Sequence, residues 1–409
     1  MKNHIKVKAG KKQQAAKAQD GATDSVSREV REVREKIQAV NNPANARPTD
    51  QETSSGSERI HCGVDLGDKK SNYCFLDVTG KIFVEGSLTT TQKEFSAYFE
   101  ALPKMTIALE VGTHSAWISE LLESYGHQVV VANPRKMESI HKNRRKNDKA
   151  DARTLARLVR ADPELLHAIR HRGAEARHDL VMLRARDALV SARTKLINAT
   201  RGLVKSAGRR LPKCSAESFH KQASGSIPEV LQGALVPLLS QIELLTAQIR
   251  EYDVKVRRMA EEKYPETTVL KQVKGIGDLT SVAYLLTLEK PERFEKSRDV
   301  GCYLGLIPRQ DDSGESSPQL RITKTGDKML RRLMVGSAHY ILGPFGEDCD
   351  LRRFGKKLAA RGGKNAKKRA VVAVARKLAV LLHRLWVTGE EYEPLRQARL
   401  QEEALKAVV

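Results

Sequence analysis

The sequence predicts an α/β chain in two parts, a small sheet followed by a long helical region, and three observations carry that prediction. Five short runs rich in apolar, aromatic or β-branched residues lie between Ile60 and Ala132. After residue 175 the pattern changes to apolar residues recurring every three, four or seven positions. At 409 residues the chain also exceeds one typical domain, so two cores and a connector are expected.

Residues 1–58 contain no Phe, Trp or Tyr and are rich in Lys, Gln, Ala, Ser and Asn. Such a composition resists core formation, so a disordered basic extension is expected there, with a short helix from Ser27 to Val40. The run Ile60-His61-Cys62-Gly63-Val64-Asp65-Leu66-Gly67 reads as a first strand carrying Asp65. Asn72 to Val78 and Lys81 to Ser87 complete a three-strand meander. Met105 to Val111 is too short for a helix and holds a single acid, Glu110, near its end. His127 to Ala132 gives a fifth strand, which Asn133-Pro134 stops because proline has no backbone donor. Lys146-Asn147-Asp148-Lys149-Ala150-Asp151-Ala152-Arg153 leads into a helix through Arg160, with Asp148 and Asp151 on one face.

An isolated acid in any of these places is an ordinary loop or first-turn helix residue. Four together, two at strand ends and two at i,i+3 on a helix, predict convergence on divalent metal in a ribonuclease H-like nuclease. Two Mg²⁺ ions roughly 4 Å apart would clamp the attacking and leaving oxygens of a phosphodiester, and hard cations take carboxylate oxygens.

Met182, Leu189, Leu196 and Leu203 recur every seven residues. Leu235, Leu238, Ile242, Leu245, Ile249, Tyr252, Val256 and Met259 form a second seam, with Ser224-Gly225-Ser226-Ile227-Pro228 as the break between the two helices. A coiled-coil connector over 175–262 follows, packed within one chain or between chains, and a dimer or tetramer is expected. Gly275-Ile276-Gly277 before the helical run Asp278 to Leu288 has the form of a helix-hairpin-helix turn, in which backbone amides and Lys274 would approach a phosphate. A helix-entry turn gives the same pattern.

Gly63-Val64-Asp65, Leu109-Glu110-Val111-Gly112-Thr113, Asn133-Pro134 and the stretch from Lys146 to Arg153 resemble the signature of the DEDD insertion-sequence transposases, relatives of the Piv and MooV invertases. The resemblance resumes at Val273 to Gly277, Tyr303 to Arg309, Asp312-Ser313-Gly314 and Ile322 to Asp327, and spans about 59 to 390. It implies a RuvC-like catalytic domain over 59–165 that binds Mg²⁺ through Asp65, Glu110, Asp148 and Asp151. It also implies a mostly helical transposase domain over 265–390 that supplies a nucleophilic serine, the two meeting in a composite active site, with residues 391–409 as a tail. By motif match that serine is Ser313; Ser316 and Ser317 stand beside it because Glu315-Ser316-Ser317-Pro318 departs from the family's glycine-rich pattern. Without the resemblance, Asp311-Asp312-Ser313-Gly314 is an ordinary turn. The family further implies a bridge-type non-coding RNA pairing with donor and target DNA.

Composition agrees with a nucleic-acid partner: 72 Lys+Arg against 50 Asp+Glu give a net charge of +22. Aromatic residues are only 5%, which favours phosphate contacts over stacked bases. Arg309, Arg321, Lys324, Lys328, Arg331 and Arg332, then the run from Arg361 to Arg369, form the expected phosphate-facing surface. Five cysteines lack close metal-ligand pairs and need not form disulfides, so a reduced cytoplasm is the simplest setting; the resemblance implies a bacterial, nucleoid-associated one. No apolar run of membrane-spanning length and no secretory signal is expected. Two other functions share parts of this pattern: a metal-dependent junction endonuclease using water, and a non-catalytic nucleic-acid-binding protein.

Overall fold

The computed structural model describes residues 28, 30–40, 60–134, 136–137, 148–314, 316–318 and 320–406, and the chain divides into two compact units, Met1–His171 and Arg172–Val409. The first holds a five-stranded mixed sheet in the order β3-β2-β1-β4-β5. Strands β1 (His61–Asp65), β2 (Lys70–Leu76) and β3 (Ile82–Thr89) form the antiparallel meander, while β4 (Thr106–Glu110) and β5 (Gln128–Ala132) add parallel to β1. Each strand expected from the sequence is present, with ends shifted by one or two residues.

Alternation along the strands sorts side chains by size. Cys62, Val64, Tyr73, Phe75, Ile107 and Leu109 enter one core with Phe95, Tyr98 and Phe99 of α2 (Gln92–Phe99) and Ile118 and Leu122 of α3 (Ser115–Ser124). Gly63, Cys74 and Ala108 lie between them in sequence, and Cys74 and Ala108 pack in separate clusters with residues of α4 (Asp148–Ala161). Before the sheet, residues 30–40 are helical (α1), and Val30, Val33 and Ile37 are buried in the first core. This corrects one expectation: part of the segment read as solvated extension is anchored. Each such aliphatic contributes about 1.5–3 kcal/mol on burial. The rest of 1–58 lies outside the described residues, as do Lys146 and Asn147.

In the second unit, α5 (Ala174–Ser206) and α7 (Glu229–Arg258) pair antiparallel, with the short α6 (Phe219–Ser224) packed on α7. Their partners descend in step: Asp179 accepts from Tyr264 Oη at 2.6 Å, Arg186 Nε donates to Asp253 at 2.6 Å, and Arg193 Nη1 donates to Thr246 Oγ1 at 3.3 Å. The seam on α7 agrees with the sequence, since Leu235, Ile242, Ile249, Val256 and Met259 are buried. On α5 it is displaced: Leu183, Arg193, Ile197, Thr200 and Val204 are buried, whereas Leu203 is 49% exposed. Within Glu229–Lys263 one 18-residue stretch is, by length and composition alone, apolar enough to cross a membrane, a test that a packed core helix also passes. Here its seam is spent on packing within the unit.

The remaining helices are α8 (Thr267–Lys271), α9 (Asp278–Leu288), α10 (Asp299–Tyr303), α11 (Lys328–Leu342), α12 (Asp350–Ala360), α13 (Ala366–Thr388) and α14 (Arg396–Lys406). Helix α9 is buried from Thr280 to Leu288, held by Tyr284 Oη donating to the Ala379 carbonyl of α13 at 2.6 Å. Beside it His383, 1% exposed, contacts Ser297 Oγ at 2.9 Å and the Pro291 carbonyl at 3.0 Å. All five cysteines are free.

Burial depresses the pKa of His383, and likewise that of His127, which bonds the Phe99 carbonyl at 3.1 Å. An unfolded histidine takes its proton near pH 6.5, while these folded ones do so only at lower pH. Between those values the unfolded chain binds more protons, so stability falls as pH drops below about 6.5. A melting temperature flat above about pH 7 and declining between about pH 6.5 and 5 is the expected profile. Calorimetry of His383→Gln should show a shallower decline.

Candidate functional site

Two acids meet because two parallel strands end together. Val64 of β1 is in register with Leu109 of β4, so Asp65 and Glu110, the last residue of each strand, stand beside one another. Both are half-buried.

The helix acids are positioned by a contact that only glycine permits. A Cβ at Gly63 would lie 2.1 Å from the Ala152 carbonyl oxygen and 2.4 Å from the Ala156 nitrogen, so α4 rests on the bare backbone of β1. Arg153 fixes the direction. Its guanidinium pairs bidentately with Glu85, with Nη2 to Oε2 at 2.7 Å, and holds the Glu85 carboxyl below the usual carboxylate range. Glu85 is in register with Cys74, and Cys74 with Gly63. Further along, Arg160 Nη1 donates to the Val78 carbonyl at 3.0 Å, just past the β2 end that pairs with the start of β1. Helix α4 therefore runs antiparallel to β1 and begins where β1 and β4 end.

Heights agree. Asp148 lies four residues before Ala152, about 6 Å along a helix at 1.5 Å per residue. Asp65 lies two residues beyond Gly63, about 6.6 Å along a strand. Asp148 and Asp151 continue the stripe of Ala152, Leu155, Ala156 and Val159 that is buried on the sheet. All four acids thus sit at one end of the first unit. Their donor chemistry suits a hard divalent cation, yet among the described residues no three His, Cys, Asp or Glu side chains are gathered closely enough to hold a metal.

The loops at this end add a pair that sequence reasoning missed. His114 Nε2 lies 3.6 Å from Asp68 Oδ1, and Trp117 Nε1 donates to His114 Nδ1 at 3.2 Å. Ser115 Oγ donates to the Gly112 carbonyl at 2.8 Å and shapes the loop after Glu110. The signal was present as Gly112-Thr113-His114-Ser115, immediately after the acid.

Ser313 belongs to the second unit. It sits at the tip of an excursion whose base is the bridge between Pro308 and Ile322, and it forms a narrow bridge with Ser316 through paired backbone bonds of 3.1 and 3.0 Å. Gly314 takes the turn at φ +55, and Ser313 is exposed. Gly326, at φ +72, closes the base; a Cβ there would lie 2.0 Å from the Tyr303 carbonyl. Residues 315 and 319 lie outside the described residues.

The expected phosphate-binding residues separate. Lys274 Nζ lies 3.6 Å from Glu347, Gly275 packs its turn (φ +96) on Tyr340, and Gly277 begins α9, whose first-turn acid Asp278 is already bonded by Lys271 Nζ at 2.8 Å. Arg331 Nη1 clamps the Thr325 and Leu304 carbonyls at 2.6 and 3.1 Å, and Arg332 pairs with Asp187. Arg309 and Lys324 are exposed, with Arg309 N bonded to the Arg321 carbonyl at 2.9 Å.

Sheet order and acid placement are consistent with a DEDD-type, ribonuclease H-like domain joined to a helical unit, a class that processes nucleic acids. A DEDD family model described as transposase matches residues 62–208, and one described as transposase IS116/IS110/IS902 family matches residues 267–343. The chain belongs to the IS110/IS116/IS902 family of insertion-sequence transposases. It is similar to a protein of Sinorhizobium fredii that carries a transposase name, 28% identical over 76% of this chain and 79% of that protein. It is also similar to the transposase for insertion sequence element IS1111A of Coxiella burnetii, 26% identical over 81% and 90%. The pilin gene-inverting protein of Moraxella lacunata is 29% identical over 28% of this chain and 34% of its own.

Gly63→Ala tests the placement of α4. The added methyl has no room, so a loss of about 1–3 kcal/mol is expected from overpacking, read as a lower melting temperature of the first unit. DNA joining should fall with it, because α4 carries two of the four acids.

Proposed function

We propose that this transposase cuts and rejoins DNA through a covalent serine-phosphate link, with Asp65, Glu110, Asp148 and Asp151 holding Mg²⁺ and Ser313 as nucleophile. The observation that carries this reading is the common height of the four acids at one sheet end, set by the Gly63 contact. When bound, the metals would polarise the scissile phosphate. The protein supplies the rest. Ser313 Oγ forms a bond to phosphorus, the bond from phosphorus to one strand's bridging oxygen breaks, and that strand leaves with a free hydroxyl. The serine proton passes to solvent or to a carboxylate of the assembled site. Attack by another strand's hydroxyl reverses the sequence, so phosphodiester bonds are conserved without ATP. Exposure of Ser313 at a hairpin tip suits a group that must reach a phosphate held by another part of the protein.

The charge of +22 supports a polyanionic partner, which we read as donor and target DNA together with a bridge-type RNA. A dimer or tetramer acting in the bacterial cytoplasm completes the proposal; exposed Val181 and Val230 on α5 and α7 offer apolar surface for a second copy.

Ser313→Ala should abolish the protein-DNA adduct and lower joining at least 10³-fold, about 4 kcal/mol on the barrier. Asp65→Ala and Glu110→Ala should lose cleavage as well. Undiminished cleavage by Ser313→Ala would instead establish water as nucleophile and an endonuclease. Sequencing RNA that co-purifies with the chain tests the guide, and recovery of no discrete RNA would count against it.

A further inference from the structure

A cleft of about 690 Å³ opens in the second unit, a size within the range of ligand sites. One wall is the base of the Ser313 excursion, with Arg321 and Lys324; the other is α12 and α13, with Arg361, Lys368 and Arg376. Among the described residues no carboxylate lines it. These five cations have no ion-pair partner among the described residues, whereas several others in the unit do. Lys263 meets Asp179 and Glu175, Arg384 meets Glu390, and Arg399 meets Glu393.

The start of α13 deepens the imbalance. Lys367, Lys368 and Arg369 occupy the first turn of a 23-residue helix that has no acid there, and Asn365 makes no capping bond with its side chain. Cations at that end oppose the helix dipole, an arrangement that an anion would relieve. Between the charged rims the lining is apolar: Leu306, Pro308, Ile322, Phe354, Leu358 and Val372. Lys377 Nζ lies 4.2 Å over the Phe354 ring. A polyanion with an apolar side fits such a cleft. Unpaired nucleotides present both phosphates and base faces, whereas a duplex keeps its base faces stacked inside.

We propose that this cleft binds the unpaired segment of the DNA strand whose phosphate Ser313 attacks. The inference rests on the reading of Ser313 as nucleophile. Ser313 follows Pro308 by five residues, so its backbone is within about 18 Å of the cleft edge even if fully extended. The α12–α13 wall lies beyond the family-matched segment 267–343, so the family match does not assign it.

The test uses the full chain and a fluorescent single-stranded DNA oligonucleotide, compared with its duplex, across a salt series. Arg361→Ala/Lys368→Ala/Arg376→Ala should weaken single-strand binding at least tenfold and lower the slope of log affinity against log salt by about 2. Lys368→Gln alone should weaken it two- to fivefold, which covers a fold defect in the triple variant. Lys195→Ala/Lys205→Ala/Lys213→Ala, on other exposed positions of the unit, should change it less than twofold. Unchanged binding in the cleft variants, equal loss in the control, or equal loss for duplex would overturn the proposal. Ser313→Ala should bind the strand as wild type. If it also kept its DNA adduct, the nucleophile assignment would fall and with it the delivery role, while a cleft-dependent single-strand affinity would leave the binding site standing.

Discussion

The contact between Gly63 and α4 is the constraint on which the candidate catalytic end depends. Parallel pairing of β1 and β4 is enough to align Asp65 with Glu110, but it says nothing about residues more than 35 positions later. Those are brought in because one strand position lacks a side chain, so that a helix backbone can touch a strand backbone. Small neighbours on the same face, Cys74 and Ala108, leave room for Ala152 and Ala156 beside them. The large residues of the same strands are spent on the opposite face, where α1, α2 and α3 bury them. One face is built for mass and the other for closeness. Arg153 with Glu85 and Arg160 with Val78 then fix the helix lengthwise, and that direction decides whether the acids meet the strand ends or point away from them.

The second unit solves a different problem, holding the hairpin tip that carries Ser313 clear of its core. Its core is helical, centred on α9, and polar side chains are accommodated by local bonds: His383 with Ser297, Tyr284 with a carbonyl, Thr200 with Leu196. The excursion bearing Ser313 is pinned at its base by Arg331 on two carbonyls and by the close backbone approach at Gly326. A rigid base and an exposed tip let the hydroxyl project without contributing to the core.

What the sequence disclosed depended on range. The five strands, α4 and α9 were legible because their patterns are local: period-two runs, a proline stop, acids before an apolar helix. Helices α2 and α3 went unread although they carry Phe95, Tyr98, Phe99, Ile118 and Leu122; α1 was read as the short helix between Ser27 and Val40, but its burial was not, because three aliphatics sit among many charges. On α5 the visible leucine series was one position off the buried seam, since Arg193 and Thr200 occupy places where an apolar count expects leucine. The positions of the four acids at strand ends and in the first turn of a helix were legible from local pattern. Ser313 was not, and only the family motif singled it out. Lys274, Arg331 and Arg332 were assigned to phosphate, yet each has a partner in the fold at Glu347, Thr325 or Asp187. No sequence rule discloses which cation folding will neutralise.

That last failure also separates two roles that net charge merges. A chain of +22 is attracted to any nucleic acid, and a cation paired to a carboxylate contributes little to that attraction at short range. Specific placement comes from cations left unpaired against a surface without acids. In the second unit five such cations, Arg321, Lys324, Arg361, Lys368 and Arg376, line the cleft beside the Ser313 excursion, while paired ones tie helices together. Folding thus consumes part of the basic composition in ion pairs and leaves part of the remainder on a cleft wall, where the lining supplies no opposing charge among the described residues.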